Sequence, residues 1–250
     1  MGKSNSRGAR HKMKKQSKGV NPSLKERIDL LMPSVEYRRM VDLEDRQAVL
    51  DLRHAGYKRI ASLPKDWKGD LPDDYDHSAN SENYGIFIGS KLAVTMRLSL
   101  LSAEFPQGQS SDMFPELVKE RLKTRKRIID PSRFVTDIDA AAQFPELPYI
   151  AMRLPVMACL HFDADECLTL IRKVHAAFYK RIFSAEQIAG PIHHEVLNID
   201  TVLMASQSEG LHEDLDLRFP FWRSDYLERR QLFGPEDQIF GMPDSGQRAA

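Results

Sequence analysis

Ile128-Ile129-Asp130-Pro131-Ser132-Arg133-Phe134-Val135 is the stretch that decides the fold, because an acid and a base interrupt an otherwise apolar, strand-like run. Ile128, Ile129 and Val135 are β-branched residues of the kind that buried strands favour. Pro131 removes a backbone hydrogen-bond donor and predicts a bulge or an edge. Charged residues at such a break either face a cleft or form a structural ion pair at the margin of a sheet. The stretch therefore predicts a strand with polar side chains inside it.

Three polar groups precede this stretch in a defined order. Arg53 and Tyr57 are four residues apart on a predicted helix, so they share one helix face. Asp73-Asp74-Tyr75-Asp76 lies in a predicted long loop, and Arg97 follows on a predicted strand. Each group alone has an ordinary structural explanation, such as a solvated acidic loop. Their order and spacing make the set informative.

The order of these motifs resembles that of the acyl-homoserine-lactone synthases. In that family an Arg-x3-aromatic pair is followed by Asp-x2-Asp, an Arg-Leu strand and Glu-x-Ser-Arg-Phe; here the last motif reads Asp130-Pro131-Ser132-Arg133-Phe134. Val174-His175 and Phe178-Tyr179 are more similar to the N-acyl amino acid synthases, where a His and a Phe-Tyr pair follow a strand. The similarity runs from about residue 36 to 206. Both families have the GNAT acyltransferase fold, which implies an α/β (α+β layered) domain with a central mixed sheet flanked by helices.

The resemblance also implies roles for individual residues. Asp130 takes the place of the family's Glu as catalytic base, and because Asp is shorter by one methylene, a water relay is expected. An ion-pair network is implied that holds the loop over the acceptor site and consists of Arg53, Asp73, Asp76, Arg97 and Arg133. Tyr179 would line the donor channel. His175 is expected to cap or pack a short helix. The implied substrate-binding residues are Arg53, Tyr57, Asp73, Asp76, Arg97, Ser132, Arg133, Phe134, His175 and Tyr179.

Formation of an amide from a thioester places modest demands on the site. An α-amino group has a pKa of about 8, so one carboxylate suffices to remove its proton, and such a base contributes about 10² to 10⁴ in rate. The guanidinium groups of Arg97 and Arg133 suit a substrate carboxylate or the loop aspartates. The thioester oxygen needs a hydrogen-bond donor, which a backbone N–H could supply where the strand of Asp130 departs from its neighbour.

The sequence favours acyl carrier protein over coenzyme A as the acyl donor. CoA-dependent GNAT enzymes usually have an Arg/Gln-x2-Gly-x-Gly/Ala turn that binds pyrophosphate at a helix N-terminus, and the chain has no complete example. No cofactor is expected beyond the acyl thioester. The carrier is acidic and would bind a basic surface; the cluster of Arg121, Lys123, Arg125, Lys126 and Arg127 is a candidate, with a solvated helix end as its alternative.

Composition predicts one ordinary globular domain with tails. The chain has 250 residues, of which 42% are hydrophobic and 29% charged. Seven basic and no acidic residues lie in positions 1–24, which leaves 29 basic against 36 acidic residues elsewhere. We therefore expect a disordered basic tail over 1–24, a GNAT-like domain over 25–206 and an irregular extension over 207–250. The tail is compatible with weak contact to an anionic membrane, whereas nucleic acid is not expected because the tail has no aromatic residue to stack on a base.

No apolar run approaches the ~20 residues needed to cross a bilayer, so a cytoplasmic protein is expected; both families resembled are bacterial. Cys159 and Cys167 fit neither a disulfide framework nor a zinc pattern and are expected to be reduced core residues. His193-His194-Glu195 is not expected to bind a metal, because adjacent residues of an extended segment point to opposite faces.

Alternation and helical periodicity predict an ordered series of strands and helices. Pro155 is expected to kink or restart its helix. Predicted strands are 37–41, 84–88, 92–100, 127–135, 166–174 and 201–205, and predicted helices are 43–60, 112–123, 148–162, 175–183 and 224–232.

The leading hypothesis is an N-acyltransferase that moves a fatty acyl group from carrier protein to the amine of an amino acid or a related small molecule. The alternatives are an acyl-homoserine-lactone synthase, a CoA-dependent GNAT acetyltransferase, and a non-catalytic GNAT-like binding module. The sequence leaves the acceptor and the acyl length open.

Overall fold

The computed structural model describes residues 22–59, 74–194, 199–209 and 217–235. Its centre is a seven-stranded sheet with the strand order β1-β2-β3-β4-β5-β7-β6. All neighbouring strands are antiparallel except β4 and β5. The predicted mixed sheet is thus confirmed. The strands are β1 (Val35–Arg39), β2 (Ser81–Ile88), β3 (Lys91–Leu101), β4 (Ile128–Thr136), β5 (Glu166–Arg172), β6 (Glu186–His194) and β7 (Ile199–Gln207).

Helices cover both faces of the sheet. On one face lie α2, α3 and α4, and on the other lie α1, α5, α6, α7 and α8, which enclose the main apolar core. Capping residues explain where several of them begin: the side chain of Asp42 accepts a hydrogen bond from the first turn of α2, and that of Asp225 does the same for α8. The helices are α1 (Leu24–Leu31), α2 (Leu43–Tyr57), α3 (Gln109–Met113), α4 (Pro115–Arg121), α5 (Ile138–Gln143), α6 (Leu147–His161), α7 (Ala176–Phe183) and α8 (Tyr226–Phe233).

Strands β4 and β5 separate soon after they begin. They pair only at Ile128 with Glu166 and at Ile129 with Cys167, so Asp130 is the first residue of β4 beyond the paired part. The sequence predicted a separation at this position. Because the two strands are parallel, both carboxyl ends, at Thr136 and Arg172, lie beyond the paired part.

Several elements differ from the sequence prediction for local reasons. The predicted helix over 112–123 is two helices, because Phe114 leaves helical geometry before Pro115. α6 continues through Pro155; the cost of an internal proline, about 3 kcal/mol, is offset by burial of α6 on nearly all sides. The prediction missed α1, although Ser23 and Glu26 form a capping box. It also missed α5 and the edge strand β6.

The described C-terminal residues pack into the main core. Trp222, Leu232 and Phe233 are buried beside α6, and the indole N–H of Trp222 donates to the carbonyl of Tyr149 at 2.7 Å. The division into domain and extension remains a prediction, and residues 1–21 of the predicted tail lie outside the described residues. None of the helices in the described parts is long and apolar enough to span a membrane.

Candidate active site

Two rows of polar side chains cross β2, β3 and β4 on the face that α2 and α3 cover. One row consists of Asn83, Arg97 and Ser132, and the other of Ser81, Ser99 and Asp130; within each row the residues are direct cross-strand partners. Cross-strand partners point to the same side of a sheet, and all six are buried. Burial of so many polar groups is costly unless they bond one another, which makes these rows the candidate site.

The residues of the first row belong to an ion-pair network. Asp76, in the short 3-10 turn Asp74–His77, receives a hydrogen bond from Arg53 on α2 at 2.6 Å and from Arg97 on β3 at 3.3 Å. Asn83 accepts from Arg53 at 2.5 Å and donates to Asp76 at 3.1 Å. Arg97 also donates from Nε to the hydroxyl of Ser132 at 3.0 Å. The network therefore joins α2, three strands and the turn in front of β2.

A second contact fixes the same turn from its other side. The Tyr75 ring lies 5.2 Å from the Arg97 guanidinium carbon, within cation–π range. The Tyr75 hydroxyl donates to Asp112 on α3. The turn that carries Asp76 is thus held by the sheet and by α3 together.

Asp130, in the second row, is fully buried and bonds to α3. Its carboxylate accepts the backbone N–H of Ser110 at 2.9 Å and the Ser110 hydroxyl at 2.7 Å. Burial raises the pKa of Asp130 to about 6, while the two hydrogen bonds from Ser110 and the charge of Arg97 act in the opposite direction. The group is ionised at neutral pH and has the proton affinity of a general base, but it is reached only through relay groups or by movement of α3.

Arg133 and Phe134 form a bulge just beyond the polar rows. Both residues oppose the single Met96 of β3, because Thr95 pairs with Val135 and Arg97 with Ser132. Arg133 has φ +51°, which is rare for a residue other than glycine. Its guanidinium donates to the Tyr57 hydroxyl on α2 at 3.4 Å. The bulge turns this guanidinium toward α2, and Phe134 is 42% exposed.

His175 and Tyr179 lie on the opposite face of the sheet. His175 is exposed and occupies the N-cap position of α7, as one of the two expected alternatives had it, but its side chain makes no capping hydrogen bond. Tyr179 packs with Phe183 against the core, and its hydroxyl lies 3.7 Å from the sulfur of Met152. Burial raises the pKa of Tyr179 above its ordinary value. Neither residue takes part in the polar rows.

The structure therefore brings together part of the predicted set. Arg53, Asp76, Arg97 and Ser132 share one network, Tyr57 and Arg133 form a neighbouring pair, and Phe134 adjoins them. Asp73 lies outside the described residues. Sequence reasoning missed Asn83 and Ser110. A signal for Asn83 was available: it lies two residues after Ser81, on the same face of β2, whose later residues are apolar. Nothing local indicated Ser110.

Residues 48–207 match a protein family described as N-acyl amino acid synthase FeeM. The chain belongs to this family. The structure of FeeM, an N-acyl amino acid synthase from uncultured soil microbes, resembles it with a TM-score of 0.57 at 17% identity, covering 72% of this chain and 93% of that one. This similarity shows that the two proteins share one fold, and membership of the FeeM family identifies the protein as an acyltransferase.

Other similar structures are more distant from this FeeM-family chain. The CoA-dependent acyl-homoserine lactone synthase BjaI has a TM-score of 0.49 at 17% identity, covering 73% of this chain and 89% of that one. A putative N-acetyltransferase from Lactobacillus plantarum has a TM-score of 0.47 at 14% identity, covering 70% and 98%. No curated protein matches the sequence.

The basic cluster of this FeeM-family chain is engaged in internal contacts. Arg121 pairs with buried Glu166 at 2.5 Å, and Lys123 pairs with Glu120. Arg125 donates to Gln207, and Arg127 donates to the carbonyl of Phe162. The cluster lies beside the starts of β4 and β5, where these strands are still paired. These contacts do not support its prediction as a docking surface.

Cysteines and histidines show no metal-binding arrangement in the described parts of this FeeM-family chain. No group of three or more His, Cys, Asp or Glu side chains is placed there to hold an ion. His193 lies 3.1 Å from Asp200 on the neighbouring strand, and the side chains of His194 and Glu195 lie outside the description. Cys159 and Cys167 are free thiols, the first buried in the core.

Proposed function

We propose that this protein transfers a fatty acyl group from acyl carrier protein to the amine of an amino acid or an amino-acid-derived acceptor. The observation that carries the proposal is the pair of buried polar rows, in which the ion-pair network lies beside a carboxylate at the separation of β4 and β5. Family membership supplies the reaction class. Donor and acceptor are inferred from the chemistry of the side chains around this point.

The proposed reaction is a direct transfer. The acceptor nitrogen attacks the thioester carbonyl carbon, a C–N bond forms, and the C–S bond breaks to release the carrier thiol. The proton lost by the nitrogen passes to Asp130 through relay groups and returns to solvent, while the departing sulfur takes up a proton. A carboxylate with a pKa of about 6 is ionised at neutral pH and accepts a proton more readily than an ordinary Asp.

The acceptor would bind on the α2 side of the sheet. Arg133 is only partly buried, and its planar guanidinium can bind a carboxylate with two hydrogen bonds. The turn carrying Asp76 lies above the same rows and would enclose the acceptor. A free amino acid has both the amine that reacts and the carboxylate that Arg133 would recognise.

Carrier protein is favoured as donor by the helix starts that follow β4. CoA carries a pyrophosphate, and helix N-termini are the usual sites for such anions. Here Asp137 caps the first turn of α5 with its own carboxylate at 2.8 Å from the Ala140 nitrogen. Glu146 occupies the N-cap position of α6. Asp137 pairs with Lys91 and Glu146 with Arg27. The chain's own acids and their partners therefore occupy both helix starts, which disfavours a pyrophosphate there.

The carrier would approach from the open ends of β4 and β5, where a phosphopantetheine arm can enter between the strands. Two exposed basic residues, Arg172 and Lys173, lie at this end of β5, and their side chains bond to no other described residue. Lys180 and Arg181 are exposed on α7, the helix that follows. An exposed cationic surface of this kind increases the association rate with an acidic partner, and the increase is screened by salt.

The test is a comparison of donors. Purified protein receives a matched acyl chain on carrier protein or on CoA, with a mixture of the standard amino acids or with S-adenosylmethionine, and products are identified by mass spectrometry. We expect N-acyl amino acids, with a higher kcat/KM for the carrier-bound donor that declines as salt increases. The substitutions Arg172→Glu and Lys173→Glu should reduce kcat/KM for the carrier-bound donor. The substitutions Lys123→Glu and Lys126→Glu should leave it unchanged.

Other outcomes would select the alternatives. Equal or better use of acyl-CoA would overturn the carrier assignment. An acyl-homoserine lactone formed from S-adenosylmethionine would identify the lactone synthase reaction. The absence of any acylated product with either donor would favour a binding module.

A further inference from the structure

The turn that leads into α3 is wrapped closely around the Asp130 side chain. Ser110 is itself fully buried and donates both its hydroxyl and its backbone N–H to the two carboxylate oxygens. Gly108 permits this approach: a Cβ atom there would lie 2.6 Å from Asp130 Oδ2 and 2.8 Å from Leu101. A side chain at position 108 would therefore displace the Asp130 carboxylate and the Leu101 side chain, or move the turn that carries Ser110.

Charged groups from the surrounding elements also act on Asp130. Arg97 on β3 favours its ionised form, and Asp112 on α3 disfavours it. Cys167 on β5 is close enough to be affected electrostatically by Asp130. Burial is the largest effect and favours the protonated acid. Ser110 is the group whose hydrogen bonds offset that burial through direct contact.

We propose that Ser110 is a positioning residue of this acyltransferase, whose hydroxyl orients the Asp130 carboxylate and keeps it ionised at the pH of the reaction. The inference rests on the proposed function, in which Asp130 accepts the proton of the acceptor amine. This role accounts for the close hydrogen bonding between the short helix α3 and the point where β4 and β5 separate.

Ser111 provides a matched control on the next residue of the same helix. Its hydroxyl donates to the carbonyl of Pro106, not to Asp130. Replacement of Ser111 by Ala removes the same atom from the same helix while both hydrogen bonds to Asp130 stay. Any effect specific to Ser110 is therefore separable from a general loosening of α3.

The experiment measures kcat/KM against pH for the full-length wild type, Ser110→Ala, Ser110→Thr and Ser111→Ala, with acyl carrier protein and the standard amino acid mixture. Loss of one charge-assisted hydrogen bond should move the acidic limb of Ser110→Ala upward by about one pH unit. At pH values below the acidic limb, kcat/KM of Ser110→Ala would be about tenfold lower than that of the wild type. At pH values well above the limb, the two would be similar. Ser110→Thr should restore the limb, and Ser111→Ala should leave it in place.

A second measurement does not depend on turnover. The pKa of Asp130 is followed by carbon NMR of aspartate-labelled protein, with its signal assigned by its loss in Asp130→Asn. An upward shift in Ser110→Ala but not in Ser111→Ala is the expected result. An unchanged Asp130 pKa together with an unchanged acidic limb would overturn the role of Ser110. Normal turnover of Asp130→Asn would instead overturn Asp130 as the base, while the NMR result would still report on Ser110.

Discussion

At the scale of single residues, Asp130 shows how burial and hydrogen bonding compete for one carboxylate. Desolvation favours the neutral acid, and the two bonds from Ser110 favour the anion. As a result, the Asp130 carboxylate is ionised at neutral pH and binds a proton at a pH only slightly below neutral. The same contacts would also be made by a purely structural residue that holds β4 against α3. Mutation of Asp130 distinguishes this structural role from that of a catalytic base.

We expect Asp130→Asn to lower turnover by at least ~10²-fold, because removal of a general base costs about that factor. Asn retains the shape of Asp and can still accept a hydrogen bond, so the variant should remain folded. Steady-state kinetics and thermal unfolding of the same preparation are the required measurements. Near-normal turnover with unchanged melting temperature would return Asp130 to a structural role.

The pKa of Asp130 also predicts the pH dependence of stability. Between 3.8, its ordinary value, and about 6, the folded state holds this proton more tightly than the unfolded state does. Stability is therefore lost as pH rises through this window, by an amount on the order of 3 kcal/mol. Urea unfolding of wild type and Asp130→Asn from pH ~4 to ~7 should show the wild type losing stability relative to the variant. A constant difference across this window would contradict the raised pKa.

Arg133 allows the roles of side chain and backbone to be separated. Arg133→Ala and Arg133→Gly both remove the guanidinium, but only glycine adopts φ +51° without strain. Both variants should raise the acceptor KM to a similar extent, since each loses the proposed carboxylate contact. The Gly variant should be more stable than the Ala variant by about 1 kcal/mol. An acceptor KM unchanged in both would remove Arg133 from the site.

At the scale of elements, the contact between α6 and α8 depends on a buried arginine. Arg153 on α6 donates to both oxygens of Glu228 on α8, at 2.6 and 2.7 Å, and to the carbonyl of Arg223 at 2.5 Å. The guanidinium also lies 5.3 Å from the Tyr37 ring on β1. One side chain thus joins the sheet edge, a core helix and the C-terminal helix.

We expect Arg153→Met to destabilise the protein by about 2 kcal/mol, because the hydrogen bonds of the buried guanidinium are lost, while the Glu228 carboxylate that remains is partly exposed and stays solvated. Glu228→Gln should cost less, and the double-mutant cycle should give a coupling of about 1 to 2 kcal/mol. Arg229→Met is the control, since among the described residues Arg229 donates only to Ser224, within the same segment. Equal losses in the Arg153 and Arg229 variants would show that the pair has no special contribution.

At the scale of the whole molecule, segments before and after the matched family region complete the core. Ile28 of α1 and Trp222 of the C-terminal segment are both almost fully buried, and both belong to the main apolar cluster. Arg27 pairs with buried Glu146 at the start of α6. The described parts of the chain outside residues 48–207 are therefore part of the same packed unit.

Two pairs of truncations test this packing. Removal of residues 1–21 keeps the Ser23 cap of α1 and should change neither the melting temperature nor the acyltransfer rate with purified substrates. Removal of residues 1–31 also deletes the buried Ile28 and should lower stability markedly. Removal of residues 236–250 should be tolerated, and removal of residues 217–250 should prevent folding. Circular dichroism and turnover would be measured for each. A folded, active chain ending at residue 216 would contradict the conclusion that the C-terminal segment is a necessary part of the main core.

The sequence by itself determined the type and order of most strands and helices, because alternation, helical periodicity and capping residues are local properties of the chain. The family resemblance also indicated that Arg53, Asp76 and Arg97 act together in an ion-pair network. Only the tertiary structure decided that Ser110 bonds Asp130 and that Asn83 completes the ion-pair network, since these contacts depend on strand register and on the approach of α3. It also separated His175 and Tyr179 from the polar rows, because the face of the sheet on which α7 lies is set by its packing against distant segments.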